Sequence, residues 1–442
     1  MLHFFSTIRL TFNNTFSGLL DIVKEPRQIE KIYFPFKVIF MYAIFIFILN
    51  VESRNNIKRK LNRECLIKSI NKYFGIDLNK VPDGATIEKI LKKVSAAQLQ
   101  DFLFAMNDEI IRKKIIKRKE LLFEEYFMIT FDMTRTQSLY SNKTNKGKII
   151  KGLLWEEKNG VKHYFRAVLE AKITLFNGLS IPLATEFVRN DDTVDGEFVK
   201  QDCELKAAYR LLPKLRKKFP KLKICLLLDS LYGCEEIFKL CKKHNFKYIM
   251  SIKPKKIPTL FKEFLSKKKG KDYIEKKKIL SKNLYQRNKI ITGLNYADFD
   301  INFLELNEYQ TVKNQYSKKI YYNVFITNFD IDCDNAYEIG KAGRKRWKTE
   351  HSFNRQKKHI FNLEHAYTTD ENAMKCYHLF LQIADFIFLF MAYSFTSENK
   401  NLVYKTFGTL LEFYDEIRES FISEVICLDE ISARKQLRLI TP

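Results

Sequence analysis

The run Lys223-Ile224-Cys225-Leu226-Leu227-Leu228-Asp229 places five consecutive apolar residues directly before a carboxylate. A strand with one wet face alternates, whereas a strand apolar throughout is covered on both faces, as in parallel sheets. Around it, apolar residues recur at helical spacing over Phe198–Phe219 and over about Tyr232–His244, and Tyr248–Ile252 again reads as a strand. Strand, helix, strand is a parallel α/β unit. Asp229 therefore falls at the carboxyl end of a sheet strand, where sites of α/β proteins lie.

Upstream, the aromatic and β-branched run Tyr126–Phe131 ends on Asp132 in the same way. Beyond it, the polar, basic stretch Ser141–Lys151 predicts a mobile loop, and Tyr164–Phe176 and Leu179–Val188 predict two strands joined across Asn177-Gly178, a hairpin dipeptide. These three strands are expected to be consecutive and antiparallel. Downstream, Arg344–Lys358 carries seven Lys/Arg residues and one acid, Glu350. On a regular helix Arg346, Glu350 and Lys357 fall within roughly 60° of one another, which sets a metal-binding carboxylate between two phosphate-holding cations. Alone, an Arg/Glu pair at i, i+4 is an ordinary surface pair contributing about 0.3–0.5 kcal/mol. Two strand-ending acids upstream make it a candidate site.

Composition points the same way. The 442 residues hold 77 Lys/Arg against 52 Asp/Glu, a net charge of +25, which attracts polyanions. Abundant Lys, Asn, Ile, Phe and Tyr would also follow from AT-rich coding, so charge alone does not establish DNA binding. Eight cysteines form no CxxC and seven histidines no HExxH, which predicts reduced cytosolic thiols rather than a disulfide or zinc scaffold. The first residues are interrupted by Arg9, Asn13 and Asn14, so no secretory signal is expected. The apolar core Val38–Leu49 is shorter than the roughly 20 residues of a span, and Met374–Phe395 carries His378 and Asp385. Both are expected to be buried helices of a cytoplasmic protein with no membrane partner.

Residues 1–120 read as helical and, with 22 basic against 12 acidic residues, suit a DNA-end-binding or dimerisation region. Residues 253–289, Lys253 included, hold 14 Lys/Arg and three acids, and strand-like alternation follows over Ile290–Phe329. This predicts a mainly β insertion, about 254–330, that forms a wall of DNA contacts. The tail, 396–442, reads as helical.

Asp132-Met-Thr, Asp229-Ser-Leu-Tyr232 and Arg346-x3-Glu350-x6-Lys357 together resemble the DDE transposases of bacterial insertion sequences, in the group whose third motif reads Tyr-x2-Arg-x3-Glu-x6-Lys. The motif's Tyr position is Gly343 here. The resemblance implies an α/β fold: an RNase H-like catalytic domain over 121–395, with a mixed sheet flanked by helices and a β insertion between the second Asp and the Glu. It also implies that Asp132, Asp229 and Glu350 bind two Mg²⁺ or Mn²⁺ ions, that Arg346 and Lys357 hold phosphates, and that Tyr232 touches DNA. Arg344, Lys348 and Lys253 join these as DNA contacts from the basic stretches. The partners implied are double-stranded element ends and target DNA, engaged by a homodimer on paired ends. The activity implied is metal-dependent cleavage and strand transfer. An RNase H-like nuclease without strand transfer and a non-catalytic DNA-binding descendant are the alternatives. Asp202 and Glu204 are expected to serve as acids at a helix N-terminus.

Overall fold

The computed structural model describes residues 2–12, 15–28, 30, 32–139, 152–159, 161–190, 193–194, 197–198, 201–312, 316–395, 408–427 and 438–439. The loop expected over Ser141–Lys151 lies outside them. Among the described residues, seven α-helices come first: α1 (Leu2–Phe12), α2 (Thr15–Leu20), α3 (Phe36–Ile48), α4 (Asn56–Leu61), α5 (Glu64–Phe74), α6 (Gly84–Leu91) and α7 (Ala96–Arg112). Then follow β1 (Phe127–Leu139), β2 (Leu154–Lys158), β3 (Val161–Thr174), β4 (Ser180–Val188), the short β5 (Thr193–Val194) and β6 (Glu197–Phe198), α8 (Glu204–Lys218), β7 (Ile224–Leu228), α9 (Glu235–Lys243) and β8 (Lys247–Ser251). After α10 (Pro258–Lys269) come β9 (Ile274–Ser281), β10 (Leu284–Tyr296), β11 (Phe299–Val312) and β12 (Tyr316–Thr327). The chain continues through α11 (Ala336–Arg344), α12 (Lys348–Asn354) and α13 (Glu371–Tyr393), with the short β13 (Ser394–Phe395), α14 (Leu410–Ser423) and β14 (Arg438–Leu439) at the end.

β1 pairs antiparallel with β3, and β3 with β4, while β1, β7 and β8 run parallel. The order β4-β3-β1-β7-β8 is the five-stranded mixed sheet of an RNase H-like domain. β2, a strand the alternation did not reveal, shares the far edge of β3 with β4. All five residues of β7 are buried, as its unbroken apolar run requires. The insertion opens with helix α10 and then lengthens this same sheet, because β12 pairs antiparallel with β8 and the path continues β12-β11-β10-β9.

Side chains alternate between the two faces of each strand. Ile129, Phe131, Ile224, Leu226 and Leu228 face one core together with Ala207, Leu211 and Leu215 of α8. Met128, Cys225 and Leu227 face the other, with Ala336, Ile339 and Ala342 of α11. The first core runs without a break into the N-terminal helices and α13. α13 is long and apolar enough to cross a membrane, but 94% of its most apolar window is buried inside the protein. α3, 13 residues long, is buried almost throughout.

Two helices differ from their sequence reading. α8 begins at Glu204 rather than near Phe198, since Asp202 takes the main-chain N–H of Arg189 and of Cys203 and the Arg210 guanidinium. The helix of Glu350 is not regular: a 3-10 turn spans Lys345–Trp347 and a π turn spans Arg355–His359. A π turn carries an extra residue and re-aims the side chains on it. The shared face expected for Arg346, Glu350 and Lys357 is therefore only partly realised.

Candidate active site

The parallel register of β1 and β7 aligns Thr130 with Leu227, and two residues further along each strand stand Asp132 and Asp229. By the alternation above, Asp132 shares its face with Met128 and Thr130, and Asp229 continues the face of Cys225 and Leu227. That is the face on which α11 packs. Asp229 also caps a 3-10 turn over Ser230–Tyr232, accepting the Leu231 main-chain N–H at 2.7 Å.

Glu350 comes from α12, which packs on β1 and β3, and its charge acts on Asp132. Thr349 Oγ1 donates to Thr130 Oγ1, and Lys172 Nζ donates to Ser352 Oγ at 2.8 Å, so the residues flanking Glu350 are tied to the sheet. Arg346 Nη2 donates to Glu350 Oε1 at 3.1 Å.

Asp132 lies in the electrostatic field of both other acids. Burial pushes the Asp132 carboxyl up to about 7; Glu204, Glu350 and Asp229 add to the rise, and Arg346 opposes it. Glu204, in the first turn of α8, thus joins the site from the opposite layer. Burial raises its carboxyl as well, and Asp229 adds to this, while a 2.7 Å bond from Tyr232 Oη to Glu204 Oε1 and the charge of Arg346 hold it down. Sequence reasoning assigned Glu204 to the helix end; nothing in a one-dimensional reading shows that it meets Tyr232 and the aspartates. Glu204 does stand in the first turn of α8, as expected, while Asp202, before the N-cap Cys203, accepts the Cys203 main-chain N–H without capping the helix.

The remaining expected residues separate into groups. Tyr232 is completely buried, its ring against Phe131 and its hydroxyl on Glu204, so it offers no surface to DNA. Lys357, re-aimed by the π turn, is bonded to Glu364 at 2.9 Å. Arg344 pairs with Glu308 and lies 4.3 Å over the Tyr321 ring. Lys348 packs on Gly178 of the β3–β4 turn, and Lys253 is exposed just past the end of β8. Trp347, next to Arg346, is half exposed and was not anticipated.

Gly343 stands where the resembling motif has Tyr. A Cβ built there would come within 2.6 Å of the Phe325 ring on β12, and one at Gly340 within 2.5 Å of Leu306. α11 lies so close to the sheet at these positions that only hydrogen fits.

Among the described residues no three His, Cys, Asp or Glu side chains stand close enough to grip a single metal ion. Mg²⁺ requires less: one or two carboxylates, with water and phosphate oxygens completing its shell. An all-oxygen set of acids gathered around Asp132, with one arginine among them, suits such an ion.

The sequence profile of the family described as "Transposase DDE domain" matches residues 198–384. That span contains Asp229, Arg346, Glu350 and Lys357, along with Glu204 and Tyr232, and leaves Asp132 upstream. No curated protein matches the chain.

Proposed function

We propose that this chain, which carries a DDE-type transposase domain at residues 198–384, cuts DNA at the ends of an insertion sequence and joins the freed 3′-hydroxyl to target DNA. The observation that carries the reading is the crowding of acids around Asp132, whose carboxyl burial pushes up to about 7 with Glu204, Glu350 and Asp229 adding to the rise against Arg346. Carboxylates held together in this way call for a cation.

Two bound Mg²⁺ or Mn²⁺ ions would supply an activated water or 3′-hydroxyl and stabilise the leaving oxygen. Asp132, Asp229 and Glu350 would hold them. Arg346, which spans Glu350 and the field of Asp132 and Glu204, would turn toward a phosphate as the acids take up metal. Trp347 presents an exposed ring beside it for base stacking. Lys357, Arg344, Lys348 and Lys253 would contact the DNA backbone more widely.

The insertion provides a further basic and aromatic surface. Seven of the eight residues of β9 are exposed, including Lys276, Lys277 and Lys278. Tyr285 and Tyr309 stack with ring centroids 5.2 Å apart, and Arg287 and Lys277 lie over Tyr285. Such alternation of cations and rings suits a DNA backbone and its bases. In this reading residues 1–120 bind element ends or join two copies, the 121–395 region is catalytic, and a homodimer in the cytoplasm holds paired ends.

The test is cleavage of a plasmid carrying the gene's native flanks, with Mg²⁺ or Mn²⁺, by wild type, Asp229→Asn and Glu350→Gln. Wild type should cut at the flanks, and both variants should lose a few orders of magnitude in rate while binding DNA with unchanged salt dependence. Cutting by both variants would sink the assignment of the acids. Cutting by wild type without joining to a target plasmid would favour the nuclease alternative.

A further inference from the structure

Lys172 on β3 has no exposed surface. Its ammonium donates to Ser352 Oγ at 2.8 Å and lies 4.5 Å over the Phe353 ring, and among the described residues it forms no direct ion pair with a carboxylate. The nearby acids bond other groups, although Glu170 Oε2 is buried without a partner. Asp385 accepts Arg355 Nη2 at 2.7 and 2.9 Å and Gln356 Nε2 at 2.7 Å. Glu170 Oε1 meets His378 Nε2 at 2.6 Å and Thr185 Oγ1 at 2.8 Å.

A buried ammonium held only by a hydroxyl and a ring is costly, and an apolar side chain of like volume would fit such a place with equal or greater stability. Burial pushes the amine down to about 8, against the pull of Asp385 and Glu170. Fold stability is thus a poor account of this lysine. Its position supplies a better one. Ser352 is two residues beyond Glu350, and the other anchor of the same helix, Thr349 on Thr130, is one residue before it. Soon after Ser352 the chain enters the irregular π turn, so ordinary helix geometry does not fix α12 from that side.

We propose that Lys172 is a positioning residue for the third acid: through Ser352 it holds α12 at the height and rotation that bring Glu350 to Asp132 and Asp229. The proposal rests on the transposase reading of those acids. A displacement of about 1 Å in such a group can lower a rate on the order of 100-fold.

The experiment measures flank cleavage, DNA affinity and thermal midpoint for the full chain with Lys172→Met, Ser352→Ala and both together, beside Glu350→Gln. Each single variant should cut about 10- to 100-fold more slowly at saturating Mg²⁺, with DNA affinity unchanged and, for Lys172→Met, a midpoint no lower than wild type. The double variant should be no slower than the worse single one, because both remove the Lys172–Ser352 bond, Ser352→Ala losing in addition only a long 3.4 Å bond from Arg355 Nη2. Ser352→Ala deletes a single oxygen and keeps the proposal testable if Lys172→Met does not fold. Wild-type rates in Ser352→Ala or in folded Lys172→Met, with Glu350→Gln inactive, would overturn this role and leave the acids' assignment standing. Cutting by Glu350→Gln would instead remove the reading on which it rests.

Discussion

Two sets of charged groups lie within a few residues of each other in this chain, and the protein treats them in opposite ways. Around Arg355, the groups Gln356, Asp385, His378 and Glu170 each have a hydrogen-bond partner supplied by the chain, with only Glu170 Oε2 and Gln356 Oε1 left over among them. Next to them, with Asp132 directly opposite Glu170 in the β1–β3 register, Asp132 meets the charges of Glu204, Glu350 and Asp229, and Arg346 opposes them. Buried charges that serve folding are neutralised by the chain itself; those left in mutual opposition are suited to neutralisation by something bound.

The contrast breaks most readily at Asp385. It has no exposed surface and is gripped through both oxygens by Arg355, whose side chain is 16% exposed. Asp385→Ala leaves that guanidinium without its carboxylate, and the expected loss is about 3–5 kcal/mol of folding stability. Asp229→Asn, by contrast, should leave the denaturation midpoint unchanged or raise it. Chemical denaturation of the two variants side by side checks the pair, and equal losses would erase the distinction drawn here.

Gly343 sharpens the same comparison from the side of the third motif. If the departure from Tyr were a loss of chemistry, restoring Tyr would improve cleavage. The Phe325 ring leaves no room for even a Cβ, so Gly343→Tyr should instead cost about 1–3 kcal/mol or more by overpacking α11 against β12. A lower thermal midpoint with no gain in cleavage is the expected outcome; a faster, equally stable enzyme would show that the position belongs to the site.

How much of this could be read in the sequence varies with the range of the interactions. Strand β7 was legible because burial on both faces leaves an unbroken apolar run, and the parallel unit β7-α9-β8 followed from it. The pairing of Asp132 with Asp229 was suggested by each ending such a run. Non-local facts were not legible. Nothing in the spacing of Lys345–His359 announces that a 3-10 turn and a π turn replace a regular helix, so Lys357 was expected on a face it leaves. Tyr232 reads as a DNA contact until the fold closes over it. Lys172 lies in an alternating strand where a lysine ordinarily points to water, and only the arrival of α12, 180 residues later at Ser352, buries it. The N-terminal helices were legible as helices, but not as contributors to the same core as the sheet.

The smallest expected effect is also the most direct probe of the opposed acids, because it can be followed without DNA. In the folded chain the Asp132 carboxyl titrates at about 7, raised first by burial and then by Glu204, Glu350 and Asp229, whereas an unfolded aspartate titrates near 3.9. Between these values the folded state holds the extra proton, so stability falls as pH rises. The favourable contribution is complete below about pH 4 and gone above about pH 7. A tenfold difference in proton affinity between the folded and unfolded chain is worth about 1.4 kcal/mol; with solvent screening and competing titrations, a net fall on the order of 1–2 kcal/mol is expected for the metal-free protein between about pH 5 and 8. Asp132→Asn should flatten this slope. Mg²⁺ or Mn²⁺ should raise the midpoint more at about pH 8 than at about pH 6, since metal must displace the proton at the lower pH. Calorimetric scans with and without the ion measure both effects. A wild-type slope that persists in Asp132→Asn, or metal stabilisation that is equal at the two pH values, would show that the acids around Asp132 are as well compensated as Asp385.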